Sequence, residues 1–100
     1  EEKGVILLVD EAYVDFSPGG CIPLLEQHSN MIISRTFSKG WGAAGTRVGY
    51  FIANEDLIDL VSKVKLTYPI SCTSMKFASF LLDNSSMVEK YCNDTVRLIY

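Results

Sequence analysis

Residues 5–10 read VILLVD, five aliphatic residues in unbroken succession followed by Asp10. Such a continuous run of β-branched and aliphatic side chains predicts a strand over Val5 to Val9 that is buried on both faces, as strands of parallel sheets are. The run is far too short to span a bilayer. Residues 17–20, SPGG, favour a turn soon after the strand has ended at Asp10.

Two further strands are predicted in the first half of the chain. Met31–Ser34 reads as the second strand and Val48–Ala53 as the third. Between them, Gly40, Gly42 and Gly45 indicate a loop, because closely spaced glycines break regular structure. The connection between the first two strands, roughly 20 residues, is long enough for those strands to run parallel.

Helices are predicted mainly in the second half of the chain. Asn54 is a typical N-cap, and the apolar residues that follow it recur at helical spacing. A second helix is expected over Ser74–Leu82, and the capping-box pattern at 86–89 predicts a third helix that continues to Tyr100. Since proline is tolerated in a first helical turn, Ile22–Gln27 is interpreted as a short additional helix. Strands, loops and helices in this order predict an α/β fold.

The composition excludes several classes of function. The chain has 100 residues, of which 48% are hydrophobic and 21% charged, and its formal net charge is −3. This is an ordinary globular balance, without a basic stripe for nucleic acid or a membrane surface. Cys21, Cys72 and Cys92 form no CxxC pair, and the chain has one histidine. Neither a disulfide framework nor a metal site is therefore expected, and a reducing compartment fits best.

Polar residues follow the first two predicted strands at the points where those strands end. Ligands of open α/β sheets collect beyond the carboxyl ends of the strands, so parallel strands would make Asp10 and Lys39 candidate site residues. Tyr13 lies three residues after Asp10 and can contribute a second polar group to the same site. A helix or turn cap explains Asp10 equally well. Glu11 is interpreted as a supporting hydrogen-bond partner.

The segment around Lys39 has the residue types that bind a phosphate group. Thr36 and Ser38 supply hydroxyls just before the lysine, and Gly40 follows it. Hydroxyls and exposed backbone N–H groups suit phosphate oxygens, and the guanidinium of Arg47 can hold a phosphate through two hydrogen bonds. For Lys39 or Arg47 taken alone, a solvated surface loop is the simpler interpretation.

Taken together, these motifs resemble a known family. The patterns Asp10-x-x-Tyr13, Thr36-x-Ser38-Lys39 and 45–49 (GTRVG) are similar to those of the fold-type I enzymes that use pyridoxal 5′-phosphate. The segments VDEAYVDFS at 9–17, SRTFSKGWGAAGTRVGY at 34–50 and TYPIS at 67–71 resemble the histidinol-phosphate aminotransferases in particular. The resemblance runs through essentially the whole chain in uninterrupted order.

The resemblance implies a role for each candidate residue. Lys39 matches the lysine that binds the cofactor covalently and then moves a proton as general base and acid. Asp10 matches the aspartate that pairs with the protonated pyridine nitrogen, and Tyr13 matches the tyrosine that hydrogen-bonds the ring 3-oxygen. The positions that match binders of the cofactor phosphate are Thr36, Ser38 and Arg47.

The same resemblance implies a reaction. The expected activity is transamination between histidinol phosphate and 2-oxoglutarate, which gives imidazole acetol phosphate and glutamate for histidine biosynthesis. Other fold-type I activities, such as threonine-phosphate decarboxylation or aromatic transamination, stay open because they share the Asp, Lys and Arg framework. A non-catalytic binding module on the same scaffold is an alternative of a different class. Family members are homodimers, and cytoplasm is the expected location.

The resemblance also predicts the domain organisation. Residues 1–100 are expected to be part of the large domain that binds pyridoxal phosphate, with a mostly parallel sheet flanked by helices. The family is roughly three times longer, a size that spans more than one domain. The N-terminal part and the small C-terminal domain have no match in this sequence, which also begins without Met. The chain is therefore interpreted as a segment of a longer enzyme, inactive by itself.

Overall fold

A computed structural model describes residues 4–99; residues 1–3 and Tyr100, which the predicted domain and the predicted third helix include, lie outside the described residues. The described strands form one sheet in the order β1-β2-β3: β1 is Leu7–Asp10, β2 is Met31–Thr36 and β3 is Gly49–Ala53. β1 and β2 run parallel, and β2 and β3 run antiparallel. The predicted α/β fold is confirmed, and these three strands form a mixed sheet.

Three α-helices follow the sheet in the chain: α1 is Glu55–Ser62, α2 is Cys72–Asp83 and α3 is Ser85–Ile99. α1 begins after Asn54, whose side chain accepts a hydrogen bond from the backbone N–H of Asp56 at 3.3 Å, as the N-cap prediction requires. α2 begins two residues earlier than predicted because Ser71 caps it by accepting from the N–H of Ser74 at 3.1 Å. Within residues 4–99, none of the helices is long and apolar enough to cross a membrane.

Three short 3-10 helices occupy the connections: Val14–Phe16, Ile22–Leu24 and Ala44–Thr46. The second of them is shorter than the helix predicted over Ile22–Gln27. After Leu24 the chain forms a turn, in which the N–H groups of Gln27 and His28 both donate to the carbonyl of Leu24. Hydrogen bonds shared in this way are common where a helix ends.

The main cluster of buried apolar side chains lies between the loop that follows β2 and the helices α2 and α3. Its centre is Phe37, whose ring packs against Trp41 at 5.0 Å and against Tyr50 at 5.8 Å between centroids. The other buried members of this cluster come from the glycine-rich loop and the two helices: Ala43, Val48, Ala78, Leu81, Val88 and Cys92. The core therefore fixes the loop that follows β2, which includes Lys39.

The prediction that the first strand is buried on both faces is wrong for the described chain. Val5 to Leu8 are between 50% and 61% exposed. β1 lies at the edge of the sheet, and β2 is the one described element with which it makes extensive contact. Since burial on both faces needs layers above and below the sheet, an aliphatic edge strand without them stays exposed.

Candidate active site

Asp10 ends β1 at the edge of the sheet where sequence reasoning placed a ligand site. The parallel register sets it directly opposite Ser34 of β2, whose hydroxyl donates to Asp10 Oδ1 at 3.4 Å. The N–H of Ala12 also donates to Asp10 Oδ1, at 3.0 Å. Side chains alternate along a strand, so Thr36, two residues after Ser34, lies on the same face. The carboxylate of Asp10 is exposed at this edge.

The structure brings Lys39 and Tyr13 together. Lys39 Nζ lies 5.3 Å from the centroid of the Tyr13 ring, within the range of a cation–π contact. Both side chains are exposed, and Tyr13 precedes the 3-10 helix Val14–Phe16. An exposed amine on a fixed backbone is available for reaction with a ligand carbonyl.

The Thr36 hydroxyl is already used inside the chain. It accepts a hydrogen bond from the backbone N–H of Ser38 at 3.1 Å and donates to the carbonyl of Val48 at 3.4 Å. These two contacts tie the end of β2 to the residue before Lys39 and to the residue before β3. In this arrangement Thr36 shapes the approach to Lys39, in addition to the phosphate contact implied by the resemblance.

Arg47 has an unusual backbone conformation. Its φ of 55° and ψ of 44° lie in the left-handed region, where it ends the 3-10 helix Ala44–Thr46. Such a conformation costs a residue other than glycine about 1–3 kcal/mol and occurs often at functional sites. The exposed guanidinium donates through Nη1 to the carbonyl of Ala44 at 3.2 Å. Within residues 4–99, no hydrogen bond or ion pair joins Arg47 to the other candidate residues.

Glu11 and Arg35 form an ion pair beside the candidate site, and the sequence predicted a role for only one of these two residues. Arg35 donates to Glu11 Oε2 through Nε at 3.0 Å and through Nη2 at 2.8 Å. The backbone N–H of Cys21 donates to the other oxygen, Glu11 Oε1. Glu11 is 8% exposed. Sequence reasoning interpreted Glu11 as a supporting residue but gave Arg35 no role, because nothing local connects two positions 24 residues apart.

The ion pair and the Cys21 hydrogen bond change the pKa of Glu11. Burial acts to raise the pKa of this carboxyl, but the hydrogen bonds from Cys21 and Arg35 and the Arg35 charge outweigh it, and the pKa is lowered. Burial acts to lower the pKa of Arg35, and the Glu11 carboxylate together with Tyr50 raises it above its ordinary value. Both groups are therefore charged at neutral pH.

Gly40, the residue after Lys39, is enclosed by two side chains. A Cβ on Gly40 would lie 2.8 Å from Asp15 Oδ2, a distance that real Cβ atoms do not reach. The thiol of Cys92 in α3 donates to the Gly40 carbonyl at 3.2 Å. This close approach requires glycine. The sequence signal was the glycine itself, which predicted a loop and a phosphate-binding segment but not this close packing.

The carboxyl beside Gly40 differs from Glu11 in its electrostatics. Burial raises the pKa of Asp15, and the Arg35 charge and a hydrogen bond from Trp41 offset this only in part. Burial, together with the charge of Asp15, also raises the pKa of the Cys92 thiol. The thiol is thus protonated at neutral pH, as its hydrogen bond to the Gly40 carbonyl requires.

Two clefts open next to these groups. One, of about 350 Å³, lies against the end of β1 and the residues after it, including Asp10, Glu11, Tyr13 and the Gly19-Gly20 turn. The other, of about 640 Å³, lies between the 3-10 helix Val14–Phe16 and α3. The smaller cleft contains two of the residues predicted from the sequence, and the larger one contains none of them.

A parallel strand pair has a carboxylate at the end of one strand and a lysine just after the other. This arrangement is that of an α/β protein with a candidate ligand site at the carboxyl edge of its sheet. The family model for aminotransferase class I and II matches residues 1–99. The chain therefore belongs to this family, and the resemblance found in its motifs is confirmed.

Individual relatives agree with this family. The chain is 37% identical over 89 residues to histidinol-phosphate aminotransferase of Pyrococcus furiosus, an alignment that covers 89% of this chain and 26% of the relative. A solved structure of histidinol-phosphate aminotransferase from Sinorhizobium meliloti in complex with pyridoxal-5′-phosphate has a TM-score of 0.77 and 28% identity, covering 87% of this chain and 24% of that one.

A third similarity concerns the fold alone. The crystal structure of L-threonine-O-3-phosphate decarboxylase from Porphyromonas gingivalis has a TM-score of 0.73 and 24% identity, covering 82% of this chain and 26% of that one. The chain spans about a quarter of the length of the curated relatives it matches. The activities and ligands that these names mention are properties of the named proteins.

Proposed function

We propose that this chain is a segment of a pyridoxal-phosphate-dependent aminotransferase that converts histidinol phosphate and 2-oxoglutarate to imidazole acetol phosphate and glutamate. The observation that carries the proposal is the family match over residues 1–99, because that range includes every candidate site residue. The chain is 37% identical to a histidinol-phosphate aminotransferase over 89 residues, which make up 89% of the chain. This similarity favours histidinol phosphate over the substrates of other family members.

The groups at the sheet edge fit the cofactor. Pyridoxal phosphate presents a carbonyl, which needs an amine, and a ring nitrogen, which needs a carboxylate partner; exposed Lys39 and Asp10 are of these types. Tyr13, in contact with the Lys39 amine, is the residue proposed to donate to the ring oxygen. When bound, the cofactor withdraws electrons from the α-carbon of the substrate.

Each side chain then has a task in the proposed reaction. Lys39 would hold the cofactor through its amine, and the same amine, when free, can move a proton at the substrate α-carbon as base and acid. Asp10 would pair with the ring nitrogen and favour its protonated form. The Tyr13 ring, whose centroid lies 5.3 Å from Nζ of Lys39, is close enough to orient that side chain at the site.

The phosphate group would lie near Thr36, Ser38 and Arg47. The left-handed backbone conformation of Arg47 supports this assignment. Such conformations persist where the surrounding structure enforces them, and they cluster at functional sites. A planar guanidinium can give a phosphate two parallel hydrogen bonds. Thr36 contributes by holding the N–H of Ser38 in place.

The proposal extends to the whole protein. Residues 1–100 would belong to the large cofactor-binding domain, with the N-terminal part and a small C-terminal domain elsewhere in the protein. The substrates would be a small-molecule amino donor and a 2-oxo acid, the assembly a homodimer and the location the cytoplasm.

A half-reaction measured on the full-length protein loaded with cofactor tests the activity. We expect histidinol phosphate alone to change the absorption of the bound cofactor in one turnover, and 2-oxoglutarate to restore it. Lys39→Ala should abolish the change, and Lys63→Ala, which removes an exposed lysine of the region after α1, should leave it intact. Release of CO₂ from threonine phosphate, with no response to histidinol phosphate, would overturn the substrate assignment.

A further inference from the structure

The carboxylate of Glu11 joins three segments of the chain at one point. Arg35 in β2 donates two hydrogen bonds to Oε2, and the N–H of Cys21, after the Gly19-Gly20 turn, donates to Oε1. Glu11 itself follows β1 directly and donates its N–H to the Ser34 carbonyl at 2.9 Å. The ends of β1 and β2 and the turn between them are thus held by one buried acidic residue.

The residues held in this way neighbour the candidate cofactor ligands in the chain. Glu11 is adjacent to Asp10, and Arg35 lies between Ser34, the partner of Asp10, and Thr36. Alternation along β2 directs Arg35 to the face opposite that of Ser34 and Thr36. The Arg35 side chain of the ion pair therefore lies on one face of the strand ends, and Asp10 and Thr36 lie on the other face, which is the face of the candidate site.

The Gly19-Gly20 turn packs closely against one side of the ion pair. A Cβ on Gly20 would lie 3.1 Å from Arg35 Nη2 and 3.5 Å from Glu11 Oε1, so the turn packs directly against both charges. Charged hydrogen bonds of this length are about twice as strong as neutral ones and hold two planar groups in one orientation. Loss of Arg35 leaves the buried Glu11 carboxylate without its charged partner, and loss of Glu11 leaves the half-buried guanidinium of Arg35 unpaired, so in either case the strand ends have to adjust.

We infer that Glu11 and Arg35 are positioning residues of the proposed active site: their ion pair fixes Asp10 relative to Lys39, and thereby sets the orientation of the cofactor ring. The inference rests on the proposed function. It differs from a role in stability alone because it predicts a defect in catalysis that persists in a folded, cofactor-loaded enzyme.

Three variants of the full-length protein separate these roles. Glu11→Gln removes the charge and keeps an oxygen that can accept from Cys21. Arg35→Lys keeps the charge and removes the two-bond geometry. Glu26→Gln is the matched control, because Glu26 is exposed and, within residues 4–99, makes no ion pair or side-chain hydrogen bond.

The measurements are the dissociation constant of pyridoxal phosphate, kcat and KM for the amino donor, and the pH at which the absorption of bound cofactor changes. All are made at a temperature where circular dichroism shows each variant folded. A displacement near 1 Å in an active site can cost on the order of 10²-fold in rate, so we expect Glu11→Gln to lower kcat by about that factor with KM little changed. Its absorption midpoint should shift, and Arg35→Lys, which keeps the charge, should lower kcat less than Glu11→Gln does.

Two outcomes would overturn the inference. A Glu11→Gln enzyme with wild-type kcat, cofactor affinity and absorption midpoint, but with a lower melting temperature, would assign the ion pair to stability alone while leaving the aminotransferase proposal standing. A wild-type protein that binds no pyridoxal phosphate would overturn both proposals together. Either result can be interpreted only if the Glu26→Gln enzyme has the kcat, cofactor affinity and absorption midpoint of the wild type.

Discussion

Lys39 lies between two regions that hold its backbone by different physical means. Upstream, the Glu11–Arg35 pair fixes the end of β2 through charge and directed hydrogen bonds. Downstream, Gly40 fits against Asp15 with no space for a Cβ and accepts a hydrogen bond from Cys92; these three residues are named the Gly40 packing site. The geometry of the upstream region depends on the charges of Glu11 and Arg35. The geometry of the downstream region depends on the close packing of Gly40, where there is no space for a larger residue.

This difference has a consequence for a lysine that must stay exposed and still be oriented. Side-chain entropy disfavours a single geometry for a long exposed amine, so the backbone has to supply the order. Fixing the backbone on both sides of Lys39 achieves this without burying the amine. The two regions should therefore respond to different perturbations, which mutations and pH can separate.

The largest effect is expected from loss of the buried charge. Glu11→Ala leaves Arg35 uncompensated and the Cys21 N–H without its acceptor, so the free energy of unfolding should fall by about 3 kcal/mol. Urea unfolding of the full-length protein measures this change. Glu26→Ala is the control and should be nearly neutral, and an equally small effect for both variants would contradict a strong pair.

A smaller effect should follow from adding one methyl group downstream. Gly40→Ala places a Cβ against Asp15, and overpacking of this kind costs about 2 kcal/mol. Gly45→Ala is the matched control, since a Cβ at Gly45 meets nothing within 4 Å. If thermal unfolding shows the same change for both variants, the Gly40 packing site is not tightly closed.

Removing the thiol beside Gly40 should have a modest effect. Cys92→Ala deletes the hydrogen bond to the Gly40 carbonyl and leaves a small void, at a cost of about 1 kcal/mol. Cys72 is exposed at the start of α2, and Cys72→Ala should change the unfolding temperature little. A more stable Cys92→Ala protein would show that the buried thiol is not a favourable partner.

The subtlest difference is in pH dependence. The pKa of Glu11 is lowered on folding, so its contribution to stability is present above the ordinary carboxyl pKa and is lost as pH falls through the folded value. The pKa of Asp15 is raised, so its contribution has the opposite sign and weakens as pH rises through its folded value.

Unfolding measured from acid to neutral pH tests this contrast. The stability difference between wild type and Glu11→Gln should shrink on acidification. Asp15→Asn should gain on wild type as pH rises. Parallel curves for the two variants would show that the two carboxyls do not differ in environment.

Much of this architecture could be predicted from local sequence signals. Aliphatic runs indicated the strands, and N-cap residues such as Asn54 indicated where helices begin. The length of the connection allowed the parallel pairing of the first two strands, and the structure shows that pairing. These features depend on residues near one another in the chain. The motif containing Lys39 was also local, which is why the family could be recognised.

Other features depend on contacts that no local pattern encodes. The pairing of Glu11 with Arg35 and the closeness of Gly40 to Asp15 arise only when distant segments meet. The left-handed backbone of Arg47 is imposed by the turn before it and has no signature in an arginine. The exposure of β1 could not be predicted from the sequence. A run of hydrophobic residues shows that a strand can be buried, but it does not show which other parts of the protein cover that strand.

The central claim is that Lys39, held between these two regions, is the residue that binds the cofactor. Full-length protein incubated with pyridoxal phosphate, reduced with borohydride and digested for peptide mass mapping tests it most directly. The account predicts one pyridoxyl group, located on Lys39, with Lys63, Lys65, Lys76 and Lys90 unmodified. A full-length protein that carries the group on another lysine, or carries none, would contradict it.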